Sequence, residues 1–277
     1  MPDRLTSAPA AAKPDIIKIA AIPLDIRFAD TEHNLLQAER AVRALDVDTD
    51  VAVLPELFST SFIADKALMA SKAEPEEGPT LTLVKKLAAD TGIAIAGSYL
   101  ASEGGEYLNR GFFVAPDGTV ATYDKRHLFC LSPEARQCRA GSALPPVVTY
   151  KGVRFKLIIC YDLRFPVWCR QNEEFDALLV PANWPNVRAY AWHHLLIARA
   201  IENQAVVVGA DCSGTDDYGN YDGMTAIYDA MGKPLGLSTD NPAPTDAVYA
   251  SFAPGSLRKL RASLPFLSDA DSFDIEL

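Results

Sequence analysis

Leu157-Ile158-Ile159-Cys160-Tyr161-Asp162-Leu163-Arg164-Phe165-Pro166 reads as a buried apolar strand ending at a cysteine, followed by a turn and a helix start. A thiol in that position stands at a strand's carboxyl end on a sharp bend. Backbone amides of the turn are then near enough to lower its pKa and to hold an oxyanion. A free cysteine is by default a small buried hydrophobe, so a nucleophilic Cys160 needs support from the rest of the chain.

On either side of this stretch, strand and helix patterns alternate. Val153 to Cys160 reads as the central strand, Asp176 to Pro181 as the next, and Val206 to Ala210 as another. A helix over 189–203, with Trp192, Leu195, Leu196 and Ile201, lies between the last two. Earlier, Ile16–Pro23, Asp50–Pro55 and Ile93–Tyr99 are short apolar strands. Leu35, Ala38, Val42 and Leu45 mark a helix over 31–45; Leu83, Val84, Leu87 and Ala88 mark another over 79–91, stopped by Gly92. Arg110–Ala115 and Thr119–Asp124 flank Pro116-Asp117-Gly118 as a hairpin. Residues 60–77 read as irregular, and 129–146 as a long loop around Glu134. A hairpin around Ala230-Met231-Gly232, a strand at 246–252 and a short helix with Leu257 and Leu260 close the chain. The alternation implies a layered α/β fold with a mixed sheet. The interior shows no repeat and no linker, so residues 15–277 read as one domain behind a disordered tail, 1–14, rich in Ala and Pro.

Composition excludes several classes of partner. The 277 residues are 49% apolar and 22% charged, ordinary for a soluble globular protein. A net charge of -10 argues against nucleic acid or an anionic membrane as the main partner. The five cysteines, at 130, 138, 160, 169 and 212, are odd in number and show no CxxC spacing. That speaks against a disulfide framework or a structural zinc site and fits a reducing cytoplasm. No apolar run is long enough to span a bilayer, and residues 1–14 contain no apolar core of a signal peptide.

Glu56 follows the strand at 51–54 through Pro55, and Lys125 follows the strand at 119–124. Both, like Cys160, stand just past a strand's carboxyl end, where sheets of this type open onto one ligand crevice. The three residue types divide an acyl-transfer reaction between them. Glu56 takes the thiol proton, Cys160 attacks an electrophilic carbon, and a cationic Lys125 stabilises the oxygen of the tetrahedral state. His193-His194 is a poor metal pair, because adjacent helical side chains point about 100° apart; packing accounts for both. Trp168, Cys169 and Cys212 read as core residues.

Pro55-Glu56, Tyr123-Asp124-Lys125-Arg126-His127-Leu128-Phe129 and Cys160-Tyr161-Asp162-Leu163-Arg164-Phe165-Pro166 together resemble the three signature segments of the nitrilase superfamily of carbon–nitrogen hydrolases. Ala182-Asn183-Trp184-Pro185, Ala198–Gln204 and the segment around Asp269-Ala270-Asp271 are similar too, so the resemblance covers about residues 16 to 273. It implies a four-layer αββα sandwich, a Glu56-Lys125-Cys160 triad with Glu134 as a second glutamate, and an oxyanion held partly by the amide of Tyr161. The omega-amidase branch is the most similar. That branch implies a substrate carboxylate held by Arg164, with Trp184 as an aromatic wall, no cofactor, and a homodimer. The substrate would be a small 2-oxo dicarboxylic acid monoamide such as α-ketoglutaramate or α-ketosuccinamate. The planar fork of Arg164 suits a carboxylate, although pairing with Asp162 to pin the turn is the alternative; Arg188 is a second candidate. The triad does not separate this class from hydrolases of N-carbamoyl compounds, deaminated glutathione-type amides or nitriles. A non-catalytic interaction module is the alternative from another class.

Overall fold

Ile19, Ala20 and Ala21 are successive positions of one buried strand and therefore face alternate sides. That alternation, repeated across two sheets, builds the molecule. The computed structural model describes residues 16–170, 173–216, 218–239 and 246–277, so the expected tail over 1–14 lies outside it. The first half runs β1 (Ile17–Ala21), α1 (Thr31–Arg43), β2 (Val51–Val53), α2 (Lys66–Lys72), α3 (Pro79–Thr91), β3 (Ala94–Glu103), β4 (Glu106–Val114) and β5 (Val120–Asp124). Then come α4 (Glu134–Gln137), β6 (Val147–Tyr150), β7 (Val153–Leu157), α5 (Pro166–Cys169), β8 (Ala177–Ala182), α6 (Ala189–Asn203) and β9 (Val206–Asp211). The last part holds β10 (Ser213–Asp216), β11 (Gly219–Asp222), β12 (Ala226–Tyr228), β13 (Pro234–Leu237), β14 (Val248–Phe252) and α7 (Pro254–Ser263).

Two six-stranded sheets result, ordered β14-β1-β2-β3-β4-β5 and β13-β12-β9-β8-β7-β6. Each has three parallel strands at its centre, β1-β2-β3 and β7-β8-β9, with antiparallel strands outside. Ile19, Ala21, Val51 and Val53 of the first sheet pack on Phe155, Leu157, Leu179 and Val208 of the second. The opposite face of the first sheet, through Ala20, Ala52 and Ile95, meets Ala38 and Val42 of α1 and Leu81, Val84 and Leu87 of α3. The opposite face of the second, through Leu178, Val180 and Val207, meets Trp192, Leu196 and Ala200 of α6. The order is helix, sheet, sheet, helix: the expected αββα sandwich.

Helices α3 and α6 begin and end as the sequence implies, whereas α1 starts as expected and stops at Arg43, short of 45. Asp30 caps α1 by accepting from His33 N, and α3 starts at Pro79 and stops at Gly92 with φ 73°. Four readings are corrected. The segment 60–77 contains α2, capped by Asp65, and the loop 129–146 contains the single turn α4; both are too short to show a helical period. The hairpin at 110–124 is part of a longer meander, because β3 and β4 pair from Ile95↔Val114 to Glu103↔Glu106. Its turn, Gly104-Gly105, has both residues at positive φ, which glycine allows without strain. The central strand stops at Leu157, and Cys160 lies beyond it.

Gly111 of β4 lies against the opposite sheet. A Cβ there would approach Leu157 Cδ2 to 2.8 Å and Ile159 Cδ1 to 3.2 Å, just before Cys160. Gly111→Val is expected to lower unfolding free energy by about 1–3 kcal/mol through overpacking, read as a lowered midpoint in chemical denaturation.

Candidate active site

Cys160 opens a 3-10 turn, Cys160–Arg164, with φ at 43°. A non-glycine residue in this left-handed region is strained and persists only where its surroundings fix it. Asp162, fully buried, supplies that fixing. Its Oδ2 accepts from Ile159 N at 3.1 Å and from the Tyr123 hydroxyl at 2.8 Å. Its Oδ1 accepts from His127 N at 3.0 Å and lies 2.8 Å from His127 Nδ1. Tyr123 in turn accepts from Trp168 Nε1 at 2.9 Å. Tyr123 and His127 stand two residues to either side of Lys125, so one carboxylate fixes the cysteine turn against the lysine segment.

Lys125 is fully buried between two buried carboxylates. Its Nζ donates to Glu56 Oε1 at 2.7 Å and to Glu134 Oε2 and Oε1 at 2.8 and 3.0 Å. Glu134 opens α4, and its Oε2 also accepts from Phe129 N at 2.8 Å. Glu56 Oε2 accepts from Asn183 N at 3.0 Å. Asn109 of β4 donates through Nδ2 to Glu56 Oε1 at 2.8 Å and to Glu134 Oε1 at 2.9 Å. The thiol of Cys160 faces the Glu56 carboxylate and lies 3.9 Å from Asn183 O.

The electrostatics follow from burial and these neighbours. Burial opposes the charge of Lys125, but Glu134 and Glu56 outweigh it and hold its pKa well above the ordinary value. Burial raises Glu56; Lys125 opposes the rise and Glu134 adds to it. Burial, then the charge of Glu56, pushes the Cys160 thiol well up, against the pull of Lys125. This reverses the sequence expectation of a lowered thiol pKa: the turn lies in a dry interior. The thiol is thus held in its neutral form beside the Glu56 carboxyl group.

Lys125 and Cys160 reach a cavity of about 180 Å³ walled by Phe62, Phe129, Tyr161, Trp184 and Tyr221, with Glu56 and Glu134 behind Lys125. Arg164 and Arg188 line it too. The Arg164 guanidinium carbon lies 4.7 Å from the Trp184 ring centroid, and that of Arg188 5.1 Å from the Phe129 ring. Trp184 is held in place, its N donating to Asp211 Oδ1 at 2.7 Å and its Nε1 to Arg188 O at 3.0 Å. Asp162 is already engaged by other donors, so Arg164 does not pin the turn. Stacking on an aromatic face leaves the N–H groups at a guanidinium's edge free to meet an anion.

All the candidate residues read from the sequence, Glu56, Lys125, Cys160, Glu134, Tyr161, Arg164, Trp184 and Arg188, meet at this cavity or directly beneath it. Asn109, Asn183, Phe62 and Tyr221 were not singled out; nothing in one sequence marks an asparagine or an aromatic as facing a site. His193 and His194 turn to separate partners, Tyr228 and Tyr190. Among the described residues no group of three or more His, Cys, Asp or Glu is placed to hold a metal ion.

The family model for carbon-nitrogen hydrolases matches residues 18–262. An omega-amidase, YafV, of Yersinia enterocolitica is 35% identical over 93% of this chain and 98% of its own length. A 2-oxoglutaramate amidase of Bacillus subtilis is 33% identical over 78% of this chain and 84% of its own. The crystal structure of XC1258 from Xanthomonas campestris, a CN-hydrolase superfamily protein with an arsenic adduct in its active site, superposes with a TM-score of 0.88. It is 34% identical and covers 94% of this chain and 99% of its own. The two sheets and their helical layers are those of enzymes that open carbon–nitrogen bonds. The chain belongs to the carbon–nitrogen hydrolase family, within the nitrilase superfamily.

Asp162→Ala leaves the Tyr123 hydroxyl, His127 and Ile159 N without their acceptor. We expect a loss of on the order of 3 kcal/mol in stability, measured by denaturant unfolding, and a larger fractional loss of activity than of folded protein.

Proposed function

We propose that the chain is a cysteine-dependent omega-amidase that releases ammonia from small 2-oxo dicarboxylic acid monoamides, such as α-ketoglutaramate and α-ketosuccinamate. One observation carries the reading. Arg164 and Arg188 line the cavity above the thiol, and among the described residues neither forms an ion pair with a carboxylate. A substrate with a carboxylate at one end and an amide at the other would complete both ends of such a cavity. The names of the omega-amidase and 2-oxoglutaramate amidase relatives support the same class.

In this reading the amide carbonyl lies over Cys160. Glu56 takes the thiol proton as sulfur bonds to the carbonyl carbon, and the carbonyl electron pair moves to oxygen. Lys125 and the amide of Tyr161 stabilise that oxyanion. Collapse expels the amine, which takes the proton from Glu56 and leaves as ammonia. A thioester remains. Glu56 then deprotonates a water that attacks the thioester; the thiol leaves with the proton, and the product is the 2-oxo dicarboxylate. Glu134 keeps Lys125 charged and in place throughout. No step requires a cofactor.

The reading also takes residues 15–277 as one hydrolase domain acting as a cytoplasmic homodimer. Free cysteines are consistent with a reducing compartment, and among the described residues no helix is long and apolar enough to cross a membrane.

Cys160→Ala is expected to reduce ammonia release from α-ketoglutaramate by on the order of 10⁴-fold or more with unchanged circular dichroism; appreciable turnover by that variant would remove Cys160 as nucleophile. Arg164→Lys should raise KM for carboxylate-bearing amides by roughly 10- to 100-fold, the cost of a two-point contact, and leave neutral amides nearly unaffected. A panel of α-ketoglutaramate, α-ketosuccinamate, glutamine, an N-carbamoyl amino acid and an aliphatic nitrile tests the substrate class. Selective turnover of the first two is expected, and preference for another member would replace it.

A further inference from the structure

We infer that Asn109 is a positioning residue for the acid–base chemistry of Glu56, the fixed amide that locks the two glutamates around Lys125 and leaves one Glu56 oxygen to handle protons. The inference rests on the reading of Glu56 as the base.

Three observations converge on this side chain. First, Asn109 is 1% exposed and its single Nδ2 donates to both carboxylates of the cluster, Glu56 Oε1 at 2.8 Å and Glu134 Oε1 at 2.9 Å. Second, its backbone oxygen accepts from Lys125 N at 2.9 Å, so one residue of β4 aligns the lysine's main chain and both of its side-chain partners. Third, Asn109 Oδ1 is buried and among the described residues has no hydrogen-bond partner. An orphaned buried acceptor is destabilising, and here it accompanies the two donors on the other side of the amide. Flipping the amide would turn Oδ1 toward two carboxylate oxygens, so the network itself fixes the orientation.

The residue type follows from these demands. Two carboxylates flank one ammonium, and each draws on Lys125. A further cation would neutralise the carboxylate that must accept a proton, and a third acid would repel the other two. A hydroxyl has one proton to give where two acceptors wait. A neutral NH₂ on a short stem, held in a strand, meets both.

The consequence lies in how the Glu56 oxygens divide their work. Oε1 is engaged by Lys125 Nζ and by Asn109. Oε2 takes the single amide of Asn183, whose carbonyl also faces the thiol. With Oε1 doubly engaged, the proton is directed to Oε2, on the Asn183 side of the carboxylate. Hydrogen bonds donated to a carboxylate favour its ionised form. Removing Asn109 therefore raises the pKa of Glu56 further above the ordinary value, and the base is available only at higher pH. Asn109 does not line the substrate cavity, so substrate binding is left largely unchanged.

The test compares wild type with Asn109→Leu and Asn109→Ser. For each, kcat and KM for α-ketoglutaramate are measured against pH, together with the rate at which iodoacetamide alkylates Cys160, read on the Cys160 peptide by mass spectrometry. The expected result for Asn109→Leu is a fall in kcat of roughly 10- to 100-fold, the range of a weakened general base, with KM nearly constant. The acid limb of both profiles should move up by on the order of one pH unit. Asn109→Ser, which keeps one donor, should fall between, and it serves alone if the leucine variant does not fold. An unmoved acid limb, with activity lost only in proportion to Cys160 that can still be alkylated, would make Asn109 a mere packing residue and overturn the assignment. If wild type hydrolyses no member of the amide panel but the alkylation limb still moves in the variants, the substrate reading falls while the role of Asn109 stands.

Discussion

Lys125 carries a full charge where almost no water reaches, and that is the condition on which the surrounding structure depends. Burying an ammonium is costly unless opposite charges and hydrogen bonds replace its hydration. Glu56 and Glu134 do so from separate elements, one after β2 and one at the start of α4. Each brings its own demand for donors, met by Asn109, Phe129 N and Asn183 N. Satisfying one buried cation thus draws together β2, β4, β5, α4 and the end of β8. These elements come from both sheets of the sandwich.

The two sheets serve this cluster in different ways. The first provides two charges and the amide beside them: Glu56 after a parallel strand, and Lys125 and the neutral Asn109 on the antiparallel meander. The second provides the thiol and the wall, Cys160 after β7 and Asn183-Trp184 after β8. Their joint is the Asp162 network, which ties the Cys160 turn to Tyr123 and His127. A carboxylate two residues past the cysteine thus holds the thiol's turn against the segment that carries Lys125.

Much of this was legible in the sequence, for identifiable reasons. Buried parallel strands such as Val51–Val53 and Val206–Asp211 read as continuous apolar runs, and the helices α1, α3 and α6 carry full periodic stripes. Acid, amine and thiol all stand just past strand ends, a position visible without coordinates. What stayed hidden is short or indirect. The single turn of α4 and the seven residues of α2 are below the length at which a period shows. Asn109 lies in β4 ahead of Arg110, where the mixed stretch Glu106-Tyr107-Leu108-Asn109 lacks the apolar run that marks a strand. The upward push on the Cys160 thiol is hidden too, because a sequence shows a bend with free amides and not the dry surroundings that the bend enters.

Those surroundings have a consequence for how the enzyme ages. Peroxides oxidise thiolates, and a thiol held protonated reacts slowly with them. Cys160 is buried and its pKa is pushed up; the thiols of Cys138 and Cys169 are pushed up to about 12 by burial as well. The Cys160 thiol is therefore held in its protonated, less reactive form. The same desolvation that makes the charge cluster expensive to assemble slows the oxidation of its sulfur.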